Sequence, residues 1–378
     1  MANFKVKNGL QAGRYLGSGG TETAGSEGYD LGAASYDGVS FSVSAQETSP
    51  SSLFFKSDGT KLYICGTTGD DVNEYALSTA WDVSTASYTT AFSVSANALN
   101  PEGIFFKPDG TKMYVWGISS SIIAEYDLST AWDVSTASLN DTATFTSQVP
   151  VNYGQDITLN GDGTKLYIAS GSSVLYQYSL STAYDITTTS YDSVSLNVSA
   201  NSASPADLTF NTDGSRLYVV AYGSDTVAEY ALSTAYDLST ASYNNVSFDI
   251  SGQMGTSQGI YFKPDGTKMY IIGQTADAVF QYSTALNTAQ LDLSTGTTFS
   301  FTPSGATTVS FTNAPASGIA IGFSVEIVGD GSAITWPSSV KWPSGVAPVA
   351  LASKELYTFV TTDGGTTYYG KKAAEGIA

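Results

Sequence analysis

The chain repeats itself, and the repeat limits what it can become. Leu53-Phe-Phe-Lys-Ser-Asp-Gly-Thr-Lys-Leu-Tyr63 returns as Ile104-Phe-Phe-Lys-Pro-Asp-Gly-Thr-Lys-Met-Tyr114, and further copies span 157–167, 208–218 and 260–270. The aspartates of the Asp-Gly pair are Asp58, Asp109, Asp162, Asp213 and Asp265, a spacing of 51 to 53 residues. A unit of this length, built of short apolar runs, cannot bury its faces alone and must pack against its neighbours.

Each unit reads as four strands. Strand A is the apolar run before the Asp-Gly turn, as in Gly103–Lys107. The Asp-Gly pair tolerates positive φ and closes a tight hairpin. Strand B follows at Lys112–Trp116 and strand C at Ile123–Leu128. The loop 129–138, with copies at 78–87, 181–190 and 233–242, leads to strand D at Thr142–Thr146. The fifth copy stops after Phe280-Gln-Tyr-Ser-Thr-Ala285, without a fourth strand. The missing piece stands at the other end, where Gly28–Ser44 matches Ala235–Ser251. An N-terminal strand that completes the last unit closes a ring and removes two exposed sheet edges. The expected fold is all-β: a five-bladed β-propeller over 28–288, preceded by a Gly-rich arm at 1–27.

Composition agrees and excludes several functions. Hydrophobic residues reach 42%, too many for a disordered chain, while charged residues are only 13%. Abundant Gly, Ser, Thr and Tyr suit short strands and turns. With 15 Lys+Arg against 34 Asp+Glu, the net charge of −19 argues against nucleic acid and anionic membranes as partners. There is no His, which removes His-based triads and His-ligated metals. The single Cys65 lies in an apolar run and reads as a core residue. The opening Met1–Leu10 has no apolar h-region, so no signal peptide is expected, and no run is apolar enough for membrane insertion.

From about Ala289 the character changes. Strand-like runs at 297–301, 323–328 and 356–361 surround Trp336-Pro-Ser-Ser-Val-Lys-Trp342-Pro and an Asp-Gly-Gly turn at Asp363–Gly365. This reads as a β-sandwich or jelly-roll-like domain over 289–378, large enough for one small core.

The Tyr-x-Leu-Ser-Thr-Ala-(Trp/Tyr)-Asp unit with Pro-Asp-Gly-Thr-Lys-Met-Tyr resembles propeller repeats of phage and marine microbial proteins. Ile334–Pro343 followed by Phe359–Gly370 resembles the terminal domain of phage tail-fibre and virion structural proteins, and Met1–Leu10 is similar to the start of cyanophage structural proteins. The resemblance implies a non-enzymatic virion protein on a phage tail or capsid surface. In that reading the 1–27 arm contacts other virion proteins, the propeller recognises a host cell-surface glycan, and the C-terminal domain supports assembly or receptor contact in a homotrimer. A glycan depolymerase and a purely architectural decoration are the alternatives. The family supplies no catalytic residues to transfer.

The repeats also point to a face. In a propeller the D–A and B–C loops emerge on one side, the A–B and C–D loops on the other. The A–B and C–D loops are nearly identical in every unit, whereas the D–A loops and the B–C loops differ. Loops released from a template are where a rigid scaffold carries recognition. The candidate ligand-binding residues are Glu102, Tyr153, Asp156, Asp207, Tyr222 and Gln258. Of these, Glu102, Asp156, Asp207 and Gln258 stand just before strand A, at the channel mouth. A carboxylate cluster there suits Ca²⁺ or a glycosidase acid–base pair, and equally the capping of strand ends. No cofactor, metal or catalytic residue is assigned. Tyr29, Trp81, Trp132, Tyr184 and Tyr236 recur in the C–D loops, as a ring for sugar stacking or as plugs at blade edges. Eight cations flank the A–B turns: Lys56, Lys107 and Lys263 before, Lys61, Lys112, Lys165, Arg216 and Lys268 after. They are expected to pair with Asp30, Asp82, Asp133, Asp185 and Asp237.

Overall fold

The computed structural model describes residues 28–377 apart from 120, 146–153, 285–286, 304–306, 330, 332 and 344. The arm at 1–27 and Tyr153 therefore lie outside the described residues. Two compact units divide at 285/286.

The first unit is a five-bladed β-propeller, five four-stranded antiparallel sheets in A-B-C-D order. The strands A, which form the inner ring, are Pro50–Phe55, Pro101–Phe106, Gly154–Leu159, Pro205–Phe210 and Ser257–Phe262. Closure is as the split repeat required. Ser35–Ser42 is strand D of the fifth blade and runs antiparallel to Ala278–Ser283, with Val39 opposite Gln281 and Phe41 opposite Val279. Strands D begin earlier than expected, at Ala137 rather than Thr142 in the second blade, because a 3-10 turn at Val134–Thr136 delivers the chain directly to the sheet edge. Blade faces bury alternating residues against their neighbours, as Leu53, Phe55, Leu62 and Ile64 of the first blade do against Tyr270, Ile272 and Val279 of the fifth.

One contact repeats around the whole ring. Gly59, Gly110, Gly163, Gly214 and Gly266 of the A–B turns have positive φ, and each lies under the loop aromatic of its own blade. A Cβ on any of them would sit 2.1 to 2.4 Å from the ring of Trp81, Trp132, Tyr184, Tyr236 or Tyr29 respectively, so only glycine fits. The aromatics themselves hold φ of 59° to 67°, a conformation that costs a bulky residue about 1–2 kcal/mol. That cost is offset by bonds at both ends of the residue. Each aromatic N–H donates to its glycine carbonyl at 2.7 to 3.0 Å. Each aromatic carbonyl accepts a tyrosine hydroxyl from the preceding blade: Tyr63 to Trp132, Tyr114 to Tyr184, Tyr167 to Tyr236, Tyr218 to Tyr29 and Tyr270 to Trp81, at 2.5 to 2.7 Å.

A second bolt uses strand C. The buried Glu74, Glu125 and Gln177 accept the first N–H of the next blade's 3-10 turn, from Val134, Ile186 and Leu238, and Gln281 accepts from Val83. The charge is arranged in two interchangeable ways. In the second and fourth blades a Glu takes the cation and a strand-D Asn donates to it: Lys112 and Asn140 on Glu125, Arg216 and Asn244 on Glu229. In the third and fifth a Gln donates to a strand-D Asp that takes the cation: Gln177, Asp192 and Lys165, and Gln281, Asp37 and Lys268. One carboxylate and one amide are kept in each case.

The second unit packs two sheets around Leu291, Val309, Phe323, Val325, Trp336, Tyr357 and Phe359. Strands alternate between sheets along the chain: 287–292, 307–312 and 334–335 in one, 298–301, 321–328 and 340–341 in the other. Neighbours two steps apart then run parallel, as between 287–292 and 307–312, while 340–341 lies parallel to 368–377. This differs from the antiparallel Greek keys of a jelly roll. Only 354–361 and 368–377 extend the second sheet antiparallel. Trp336 and Trp342 meet edge to face at 5.6 Å inside the core, and the fully buried Glu355 is satisfied by Lys372 at 2.5 Å.

Exchange of the two charge arrangements is testable. Glu125→Gln leaves Lys112 without its buried partner and should destabilise the propeller by about 2 kcal/mol. Adding Asn140→Asp recreates the Gln177–Asp192 arrangement and should restore most of that loss in urea unfolding. A double variant no more stable than the single one would refute the equivalence.

Candidate functional site

The channel is shaped by a bulge repeated in every blade. The A–B ladders slip one residue at Ser51, Glu102, Gln155, Ala206 and Gln258, between the pairs flanking those positions. A bulge re-aims its side chain, and it divides the four expected channel residues into two sets. Glu102 and Gln258 are bulge residues. Asp156 and Asp207 stand one residue deeper, level with Ser52, Gly103 and Gly259. The common reading of the four as one mouth cluster is corrected accordingly.

The deeper level is filled by the two aspartates. Asp156 and Asp207 are 2% and 4% exposed. Asp156 accepts from its neighbouring Ile157 N–H at 2.6 Å and, across the channel, from the Ser52 hydroxyl at 3.2 Å. Asp207 accepts from Ile260 N–H of the next blade at 2.7 Å. A Cβ on Gly103 would lie 2.2 Å from Asp156 Oδ1, so the carboxyl occupies the room that glycine leaves. Two residues further along strand A the sizes reverse. Phe54, Phe105 and Tyr261 meet at 5.1 to 5.4 Å, while the aspartate blades carry Thr158 and Thr209. At this level the channel holds the carboxyls of Asp156 and Asp207 as acceptors of strand N–H groups.

Burial, and for Asp156 the nearby charge of Asp207, raise both aspartates above the usual carboxylate range. Burial alone pushes Glu102 up to about 7. Among the described residues no group of three or more His, Cys, Asp or Glu side chains is placed to hold a metal ion, and no helix is long and apolar enough to cross a membrane. Cys65 is buried beside Ser51 Oγ at 3.8 Å.

The five loop aromatics are committed to the inter-blade contacts described above, each with one side against a turn glycine. Trp132 and Tyr29 are buried, while Trp81, Tyr184 and Tyr236 are half-buried. The cations are also internally paired, but not with the expected aspartates. Lys56, Lys107 and Lys263 close onto the turn aspartates Asp58, Asp109 and Asp265 at 2.7 to 2.8 Å, and the other five take the strand C and D carboxylates. Asp30, Asp82, Asp133, Asp185 and Asp237 instead cap the 3-10 turns through backbone N–H groups two residues on.

On the opposite side, Tyr222 stands 42% exposed in its B–C loop. Leu99, in a D–A loop of that face, is 46% exposed; an apolar residue in a polar loop was the available signal for it. These loops are stitched by the left-handed B–C residues, Asp70 accepting from Asn100 N–H at 2.8 Å and Asp225 from Ser257 N–H at 3.0 Å. The buried Glu47 accepts from the N–H groups of Ser49, Thr68 and Gly69.

No family model matches this chain, and no curated protein does. Among solved structures it is similar to a functionally unknown protein from Desulfotomaculum acetoxidans (TM-score 0.38, 10% identity, 59% of this chain and 62% of that one). It is also similar to a proposed 6-phosphogluconolactonase from Bacteroides uniformis (0.40, 14%, 60% and 64%). A third is the β-propeller domain of Myceliophteria thermophila Cps50 (0.38, 10%, 65% and 100%). The chain thus spans less than two thirds of the first two, and similarity this distant carries no argument about activity.

The buried acids give stability a definite pH dependence. Their folded pKa values lie above the unfolded value of about 4, so their contribution is full below that and is lost as pH rises, for Glu102 and Asp207 through about 7. Asp58 and Asp109 have the opposite sign: burial raises them, but bonds from Lys56 or Lys107 and the turn threonine outweigh it and hold each at about 2. Their contribution is lost only as pH falls from about 4 toward 2. The propeller Tm should therefore decline from pH 5 to pH 8, and Asp207→Asn should flatten that decline. A Tm that climbs over this interval in the unmodified protein would contradict the assignment.

Proposed function

We propose that this chain is a non-enzymatic component of a phage particle, a tail-fibre, spike or capsid-fibre subunit that presents its D–A/B–C face to a host-surface glycan. The observation that carries the recognition reading is the unequal use of the two faces. The A–B/C–D face spends its aromatics on contacts between blades, repeated around the ring, and its cations on ion pairs within each blade. The D–A/B–C face varies from blade to blade and exposes Leu99 and Tyr222. The burial of Asp156 and Asp207 favours binding over polysaccharide cleavage, because a substrate cannot reach them. The phage setting is supported by the resemblance of Ile334–Pro343 and Phe359–Gly370 to virion terminal domains. In that setting the 1–27 arm attaches to other virion proteins and the C-terminal module trimerises.

A glycan array probed with the intact chain tests this reading. Binding to a bacterial surface polysaccharide, at least about tenfold weaker after Leu99→Ala with Tyr222→Ala and without release of reducing ends, is the expected result. A blank array would favour an architectural role, and new reducing ends would establish a depolymerase.

A further inference from the structure

The larger sheet of the second unit turns one face to solvent, and the chemistry of that face is uneven. Strands 321–328, 354–361 and 368–377 lie side by side, with the short 340–341 at the far edge. Side chains alternate along a strand, so Phe359 and Tyr368 enter the core while Val360 and Tyr369 point outward. Pairing sets the outward residues in rows. Gly322 lies opposite Val360, Val360 opposite Tyr369, and Tyr369 opposite Lys341. Two residues along, Thr358 lies opposite Lys371. Tyr369 is 63% exposed, the most exposed aromatic among the described residues, and Val360 beside it is 46% exposed.

The lysines of this patch differ from the other described cations. The eight propeller cations, and Lys354 and Lys372 of the second unit, each hold a carboxylate at 3.7 Å or closer. Lys341 and Lys371 are exposed and have no such partner among the described residues. Lys341 reaches only the Ser338 carbonyl, at 3.5 Å. In a chain of net charge −19, two cations are thus kept free of carboxylates, one beside Tyr369 across the sheet and one along its strand. They complement an anion that also has an apolar face to lay on the ring.

Size selects the class of ligand. Four strands about 4.8 Å apart and two rows about 7 Å apart make a patch of about 15 Å by 7 Å. Beyond the second row the Glu326–Lys354 pair, at 3.7 Å, closes the patch with charges that satisfy each other. A stable protein interface needs about 800 Å² a side, several times what this patch supplies. One or two sugar rings fit it. A pyranose lays its C–H face on an exposed aromatic, and a carboxylate on that ring meets the lysines through charge-assisted hydrogen bonds.

We propose that the outer face around Tyr369 binds a carboxylated pyranose, a uronic acid unit of an anionic polysaccharide. The site belongs to the second unit and does not depend on recognition by the propeller loops.

Calorimetric titration of the intact chain with trigalacturonate and trimannuronate, beside neutral galactotriose and mannotriose, tests the site. At least one uronate should bind, its neutral counterpart at least about tenfold more weakly, and the affinity should fall as salt screens the lysines. Lys341→Gln with Lys371→Gln removes both charges without touching the core and should weaken the uronate at least about tenfold, or 1.4 kcal/mol. Tyr369→Ala should weaken it to a similar degree, whereas Leu99→Ala with Tyr222→Ala should leave it unchanged. Neither uronate binding, equal affinity for the neutral sugar, or binding that survives the lysine pair or Tyr369→Ala would overturn the site. So would loss of binding with the Leu99 and Tyr222 pair, which would assign the uronate to the propeller. A lysine pair that changes the oligomeric state in sedimentation would also overturn it, by placing a second copy of the chain on this face.

Discussion

The left-handed aromatic of the C–D loop is the constraint from which most of the propeller follows. A Trp or Tyr at φ near 60° is unfavourable by itself, and here it recurs five times. It is held by a glycine that has no Cβ to collide with it and by a tyrosine hydroxyl that reaches over from the preceding blade. The contact therefore couples a turn, a loop and a neighbouring sheet in one place. Because the fifth blade bonds the first in the same way, through Tyr270 and Trp81, the ring has no junction that lacks this contact. Each buried hydroxyl bond contributes only about 1 kcal/mol net, but any one left unmade would strand a carbonyl and a strained residue together.

This arrangement explains the division between the faces. Of the residues that look most like a binding ring, the five aromatics hold neighbouring blades together and the eight cations are paired inside their own blades, and their sameness is the mark of that use. The Glu–Asn and Gln–Asp exchange on strands C and D shows what is being kept. A cation needs one carboxylate and the next blade's N–H needs one oxygen, and either pair of residues provides both. Symmetry is relaxed where those demands end: in the loops of the other face and in the channel layer with its two aspartates.

Much of the architecture was legible in the repeats. The period gave the blades, the split fifth unit gave the closing strand, and Asp-Gly located each hairpin. The candidate site was harder to read. Glu102 and Asp156 look equivalent until the bulge in strand A is known, since a one-residue slip sends neighbouring side chains to different surroundings. The partners of the cations were also misassigned, because Asp82 and its counterparts have nearer backbone N–H groups to satisfy, which spacing along the chain does not reveal. In the C-terminal unit the strand runs could be foreseen, but not the packing of Trp336 in the core or the parallel pairing, which arises because the chain alternates between two sheets.

The sequence alone determined the number of blades, the closing segment and which glycines and aromatics must recur, because those are local backbone requirements copied in every unit. Tertiary structure decided which groups meet across blades: that Asp156 reaches Ser52 over the channel and that Gln281 serves Val83. These depend on contacts between residues far apart in the chain, where shape and hydrogen-bond competition in three dimensions select the partner.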